Sequence, residues 1–349
     1  MVAESPAVMN ELDLPPVFDF GSFPTEKRQA LRLDFVTEKD AIIVNVKCKT
    51  KKECSLEGIT IDESSSSVPL DRLVSHINSL KLRKTAKLSI VVMETREEWE
   101  RKIVFALRKL LSFVFSDLPI VQLELNAIHW SLFSELRMEF YSTFRNLHEL
   151  VFLPDQIPED HKKERDRMIE FRTLLFEWLP RIKSTLRCLR IFTYLRLDSY
   201  LDDALKGCTK LETITIGKLY RYSDHPEFYS IRYVDFDGQG MAYSADDLDV
   251  ALRVRIIFPN ARVFRVVRYS VDVVKTLINA LSVAGGVFDV YSDIYEIDHL
   301  RNVMGSTLRM ELVEGHSDME EAYVEMIGRS ERYSTTIHFY NHRQRRYIE

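Results

Sequence analysis

The chain has 349 residues, 46% of them apolar and 29% charged, with only 11 Gly and 11 Pro. That balance describes a packed protein and excludes a disordered or low-complexity one. A formal charge of -5 excludes a global pull toward phosphate backbones or anionic membranes and leaves such roles to local basic patches.

Residues 1–25 are punctuated by Pro6, Pro15, Pro16 and Pro24 and read as an extended N-terminal arm. Residues 26–85 read as an N-terminal capping region. Ala41 to Cys48 and Leu56 to Ile61 are rich in β-branched residues and predict strands. Pro69 opens a helix in the sequence that follows.

From Lys87 the pattern becomes strand, then helix. Leu88, Ile90 and Val92 alternate, and Trp99, Ile103, Ala106, Leu107, Leu110 and Val114 follow at helical spacing. A strand at 120–126, a helix at 130–146 and a strand at 148–153 continue the order, followed by a helix ending near Ile182 and strands at 187–192 and 212–217. The stretch 218–243 carries Tyr220, Tyr222, Tyr229, Tyr233 and Tyr243 and reads as a long excursion, with a weak strand at Val234 and Phe236. Ser244 caps a helix through Ile257. Alternating strands and helices then lead to a last strand at Thr335 to Tyr340, and 342–349 forms a basic tail.

An L-x-x-L-x-L motif recurs along this span as Ile120, Leu123, Leu125; Leu147, Leu150, Phe152; Leu186, Leu189, Ile191; and Leu211, Ile214, Ile216. Looser copies are Ala261, Phe264, Val266, then Met310 with Leu312, and Ile337 with Phe339. The two long steps read as doubled units. Such a period predicts stacked units, each burying its apolar face against its neighbours. The fold expected is α/β: an irregular, arc-shaped solenoid of alternating strands and helices over 86–341, with an N-terminal β-containing cap.

Side chains alternate across a strand, so the residue between each apolar pair must point away from the core. Glu124, Val151, Arg190, Thr215, Arg265, Glu311 and His338 are those residues, with Gln122, Asn126, Glu149, Phe192, Arg309 and Tyr340 flanking them. Their chemistry is mixed in charge and partly aromatic, which fits a specific protein surface better than nucleic acid; packing under neighbouring segments is the plainer alternative. Arg343, Arg345 and Arg346 form a basic patch beside Tyr347 that could touch phosphate, with a solvated tail as the default.

Catalytic signatures are weak. The glycine pairs do not extend to G-x-G-x-x-G or a P-loop, and neither H-E-x-x-H nor G-x-S-x-G occurs. Cys48, Cys54, Cys188 and Cys208 make no C-x-x-C pair, and His129, His148, His161 and His225 have no nearby ligand partner. No catalytic residue, metal or cofactor is expected. The start lacks a signal-peptide pattern and no apolar run approaches the ~18 residues of a span, so cytosol or nucleus is expected.

The units at 144–153, 208–216 and 258–266 resemble leucine-rich repeats of the irregular, helix-bearing kind. They are similar to the repeat regions of F-box proteins, and in texture to the F-box-associated families expanded in nematodes. The resemblance spans about residues 85–341. The usual repeat asparagine is replaced by Ile128, Asp155, Tyr194 and Leu219, which implies a distorted arc. The likeness also implies a Skp-type adaptor as partner and a role as substrate receptor of a cullin-type ubiquitin ligase. Leu14 to Phe18 and residues 23–33 match an F-box only faintly, and 42–61 reads as strand where that domain needs helix. The leading expectation is therefore a non-catalytic scaffold for a protein partner, ahead of the ligase receptor and of nucleic-acid binding through the tail.

Overall fold

Strand alternation organises the molecule from its first described residue. In β1 (Gln29–Glu38), Leu31, Leu33 and Phe35 are buried on one face, and Arg32 and Val36 are half-buried on the other. The computed structural model describes residues 29–38, 41–49, 54–62, 68–79, 86–93, 97–126, 130–153, 173, 175–191, 196–197, 199–216, 218–219, 227–237, 252–267, 270–292, 308–313 and 323–342.

The next strands are β2 (Ala41–Lys49), β3 (Cys54–Asp62), β4 (Ala86–Met93), β5 (Ile120–Asn126), β6 (Glu149–Leu153) and β7 (Cys188–Ile191). After β8 (Arg196–Leu197) come β9 (Thr213–Ile216), β10 (Lys218–Leu219), β11 (Tyr233–Asp237) and β12 (Val263–Val267). The series ends with β13 (Gly286–Ser292), β14 (Arg309–Val313), β15 (Tyr323–Ser330) and β16 (Thr335–His342).

Fourteen of these strands form one open sheet in the order β14-β15-β16-β13-β12-β11-β9-β7-β6-β5-β4-β1-β2-β3, while β8 and β10 pair separately. Its two edges, β14 and β3, do not meet, so the sheet is not a closed barrel. From β1 through β16, nine successive pairings are parallel and join ten strands that advance in sequence order. Antiparallel strands finish both ends, β2 and β3 at one and β15 and β14 at the other.

Helices cover one face. Among the described residues they are α1 (Val68–Ser79), α2 (Glu97–Phe113), α3 (Trp130–Thr143), α4 (175–182), α5 (Ser199–Leu205), α6 (252–257) and α7 (Val271–Ser282). Ile103, Leu107 and Leu110 of α2, and Leu132, Leu136 and Phe140 of α3, recur every three or four residues and join Leu123, Leu125, Leu150 and Phe152 in a single core. Trp178 of α4 is fully buried between Phe140 and Tyr141, with ring centroids 6.0 and 5.8 Å away. In α7 the Ser270 hydroxyl accepts from the Val273 N–H, a helix N-cap.

One junction repeats four times where a turn enters its strand. The carbonyl of His148 accepts from Arg187 N (2.7 Å) and Cys188 N (2.9 Å), and that of Arg187 from Glu212 N and Thr213 N. The carbonyl of Glu212 accepts from Arg232 N and Tyr233 N, and that of Arg232 from Arg262 N and Val263 N. Before three of these strands the same tight turn appears, with Leu211 N donating to Cys208 O, Ile231 N to Phe228 O and Ala261 N to Phe258 O. Leu211, Ile231 and Ala261 are buried at the end of each turn.

The sequence reading differs from the structure at three places. The strands β1 and β15 were not expected; β1 crosses a stretch compared above with an F-box helix. Within the excursion 218–243 the weak strand expected at Val234 and Phe236 is present as the central strand β11, but β10 and the turn ending at Ile231 were not expected; Ile231, Val234 and Phe236 supply the same buried spacing as the neighbouring units. Leu219, at one of the missing-asparagine positions, pairs with Leu197, so strand pairing occupies the place where an asparagine was looked for.

Candidate functional site: the open face of the sheet

The face turned away from the helices presents two aligned columns of side chains. One runs Arg32, Ser89, Glu124, Val151 and Arg190, and continues through Thr215, Asp235, Arg265, Tyr291 and Tyr340. The other runs Lys87, Gln122, Glu149, Cys188, Thr213, Tyr233, Val263, Asp289 and His338. Adjacent members of a column sit about 4.8 Å apart, the strand spacing.

The columns divide into three chemical zones. On β1 to β5 two acids meet bases: Asp34 receives Arg32 Nε at 2.6 Å and Lys47 Nζ at 3.4 Å, and Glu124 pairs with Lys87 at 2.5 Å while accepting from Ser89 Oγ at 3.2 Å. In the centre, Asp235 is 5% exposed and faces Arg265 (7%) at 3.6 Å, and Thr215 (0%) donates to it at 3.4 Å. Arg190 lies on the other side of that carboxylate. Burial alone would lower the Arg190 pKa, but Cys188, Asp235 and Glu149 hold it above its ordinary value. On β13 and β16, Tyr291 and Tyr340 stack with centroids 4.6 Å apart, and His338 lies 6.4 Å from Tyr340 in a nearly parallel plane.

The chemistry of the centre is electrostatic. A dent of about 10 Å³ among Arg190, Thr213, Tyr233, Asp235 and Arg265 has room for roughly one water. The Cys188 thiol beside it is pushed up to about 11 by burial, against the opposing pull of Arg190, so at neutral pH it is a thiol and a poor nucleophile. Among the described residues no cluster of three or more His, Cys, Asp or Glu is placed to hold a metal ion, and no helix is long and apolar enough to cross a membrane.

Gln122, Glu124, Asn126, Glu149, Val151, Arg190, Thr215, Arg265, His338 and Tyr340 all fall on this face. Val151, Thr215 and Arg265 are buried there, so the middle of the face is a packed polar floor and its flanks are the accessible parts. Arg309 lies opposite Arg329, and Glu311 opposite Ile327, on the edge strand. Phe192, Arg343, Arg345 and Arg346 lie outside the described residues. Asp235 and Tyr291 escaped the sequence reading. The signal for Asp235 was present, since it stands between Val234 and Phe236 as Arg265 stands between Phe264 and Val266.

Compared with known proteins, the chain matches no family model, no curated protein and no solved structure.

Proposed function

We propose that this chain is a non-catalytic protein-interaction scaffold, built as a leucine-rich-repeat-like solenoid that holds a protein partner on the open face of its sheet. The observation carrying this reading is the fourfold repeat of one strand-entry junction, which stacks units in register and aligns their outward residues in columns. A packed polar floor of Arg190, Asp235 and Arg265 gives the face a fixed shape. Charged groups on one flank and the Tyr291, Tyr340 and His338 stack on the other supply the directional and aromatic contacts that specific interfaces use. Such a scaffold works in the cytosol or nucleus, where buried cysteines stay reduced.

The test is affinity purification with quantification of bound chains, using wild type, Glu124→Lys, Tyr340→Ala and, on the helix side, Arg108→Ala. A partner held by wild type and Arg108→Ala but lost from both face variants supports the reading. A partner held equally by all four contradicts it. Recovery of a Skp-type adaptor that disappears on deleting residues 1–40 would assign the scaffold to a ubiquitin ligase.

A further inference from the structure

A second surface lies at the rim of the sheet, where the turns enter β11, β12 and β13, and it is separate from the columns above. The chain is acidic overall, yet this rim gathers arginines. The Arg232 guanidinium donates to the Asn260 carbonyl at 3.3 Å, and that of Arg255 to the next carbonyl, Ala261, at 3.2 Å. The guanidinium carbons of Arg255 and Arg262 lie 5.4 and 5.2 Å from the centre of the Phe288 ring. Arg262 reaches to Gly286, whose N–H bonds the Ser334 carbonyl, so the rim continues to Tyr333 with Arg332 over its ring at 5.1 Å.

Among the described residues none of these four arginines forms an ion pair with a carboxylate. Arg232 and Arg262 are exposed, as is Arg332. Burial first, and the neighbouring charge of Arg262 second, lower the Arg255 pKa. Beside them stand apolar side chains in water: Val287 is 55% exposed and Tyr333 39%. Lone apolar residues on a surface are ordinary, but apolar groups interleaved with exposed arginines form an interface composition, since Arg and Tyr are among the residues most enriched at binding hot spots.

We propose that this rim docks an acidic protein segment bearing apolar side chains, its carboxylates meeting Arg232, Arg262 and Arg332 and its apolar groups covering Val287 and Tyr333. Charge complementarity selects the partner. Arginine forks take carboxylates in bidentate pairs, and the exposed apolar groups give an acidic peptide a contact that a bare polyanion lacks. The proposal stands apart from the open-face reading, because none of its residues belongs to the three zones of the columns.

The experiment is fluorescence anisotropy on the full chain with four probes: a labelled synthetic peptide of glutamates interspersed with leucine and phenylalanine, the same peptide with lysine for glutamate, a single-stranded RNA of equal length, and phosphatidylserine-containing vesicles. The expected result is binding of the acidic peptide, weakened by rising salt and by about tenfold or more in Arg232→Glu/Arg262→Glu. Circular dichroism confirms the fold of that variant; should it not fold, Arg262→Gln/Arg332→Gln replaces it, with a smaller loss in the same direction. Equal binding of the acidic and basic peptides, unchanged affinity in the folded variant, or tighter binding of RNA or vesicles would overturn the proposal.

Discussion

Replacing Asp235 by Asn keeps the shape of the side chain and removes its charge, leaving the buried Arg265 and the half-buried Arg190 guanidinium groups on either side of a neutral amide. The Asp235 and Arg265 side chains are 7% and 8% exposed and 3.6 Å apart, so solvent screening is slight. Removing one partner of a buried ion pair costs about 3–5 kcal/mol, because the other is left uncompensated. The separation exceeds the ~2.7–2.9 Å of an ideal charge-assisted bond, and Glu149 still attracts Arg190. Both facts move the expectation to the lower end, ~3 kcal/mol. Urea unfolding followed through the buried Trp178 and the far-ultraviolet circular dichroism measures it. Pairing Asp235→Asn with Arg265→Met should cost less than the sum of the single changes, by about 1–3 kcal/mol. A loss below about 0.5 kcal/mol in Asp235→Asn, the range of a plain surface substitution, would refute the buried electrostatic floor.

Three further outcomes follow from packing and backbone. Ile231→Ala empties the buried end of the turn before β11 and should cost about 2–5 kcal/mol in the same unfolding assay, whereas a surface-like loss would place 227–237 outside the sheet. Gly286 has φ +102° and an added Cβ would lie 3.2 Å from the Arg262 side chain; Gly286→Ala should lower stability by about 1–2 kcal/mol, and an unchanged melting temperature would argue against that backbone. Cys188 and Cys208 are each pushed up to about 11 by burial, from an ordinary value of 9.0. Since the folded state raises these values, the stability they contribute is intact below about pH 9 and is lost as pH rises through 11. Native protein should therefore react slowly with a disulfide reagent at pH 7 and faster as alkali exposes the thiolates; rapid reaction of both thiols at pH 7 would contradict their burial.

The strands that hold the core were legible because their apolar residues alternate cleanly: Leu123 with Leu125, Leu150 with Phe152, and Phe264 with Val266 are all buried where the motif placed them. The register of the outward residues came with them, since a period of two fixes both faces at once. What escaped depended on partners distant in sequence. In β1 the alternation of Leu31, Leu33 and Phe35 has meaning only once β4 lies beside it, and β15 has none of the L-x-x-L spacing because antiparallel pairing with β16 holds it. The strand at Val234 and Phe236 was legible only weakly among the tyrosines of 218–243, and the turn from Phe228 to Ile231 before it, which matches those at Cys208 and Phe258, was not. Packing of some outward positions was among the expectations, but that Thr215 and Arg265 would be the buried ones was not legible, because their burial arises from neighbours across the sheet and not from local pattern.

The most direct test of the central claim is site-specific photo-crosslinking in cells, with the reactive group placed at Gln122, Tyr291 or Tyr340 on the open face and at Phe105 or Met138 among the exposed residues of the helical layer. The account predicts one discrete protein adduct shared by the three open-face positions and absent from the two helical ones. An adduct confined to Phe105 and Met138 would contradict it.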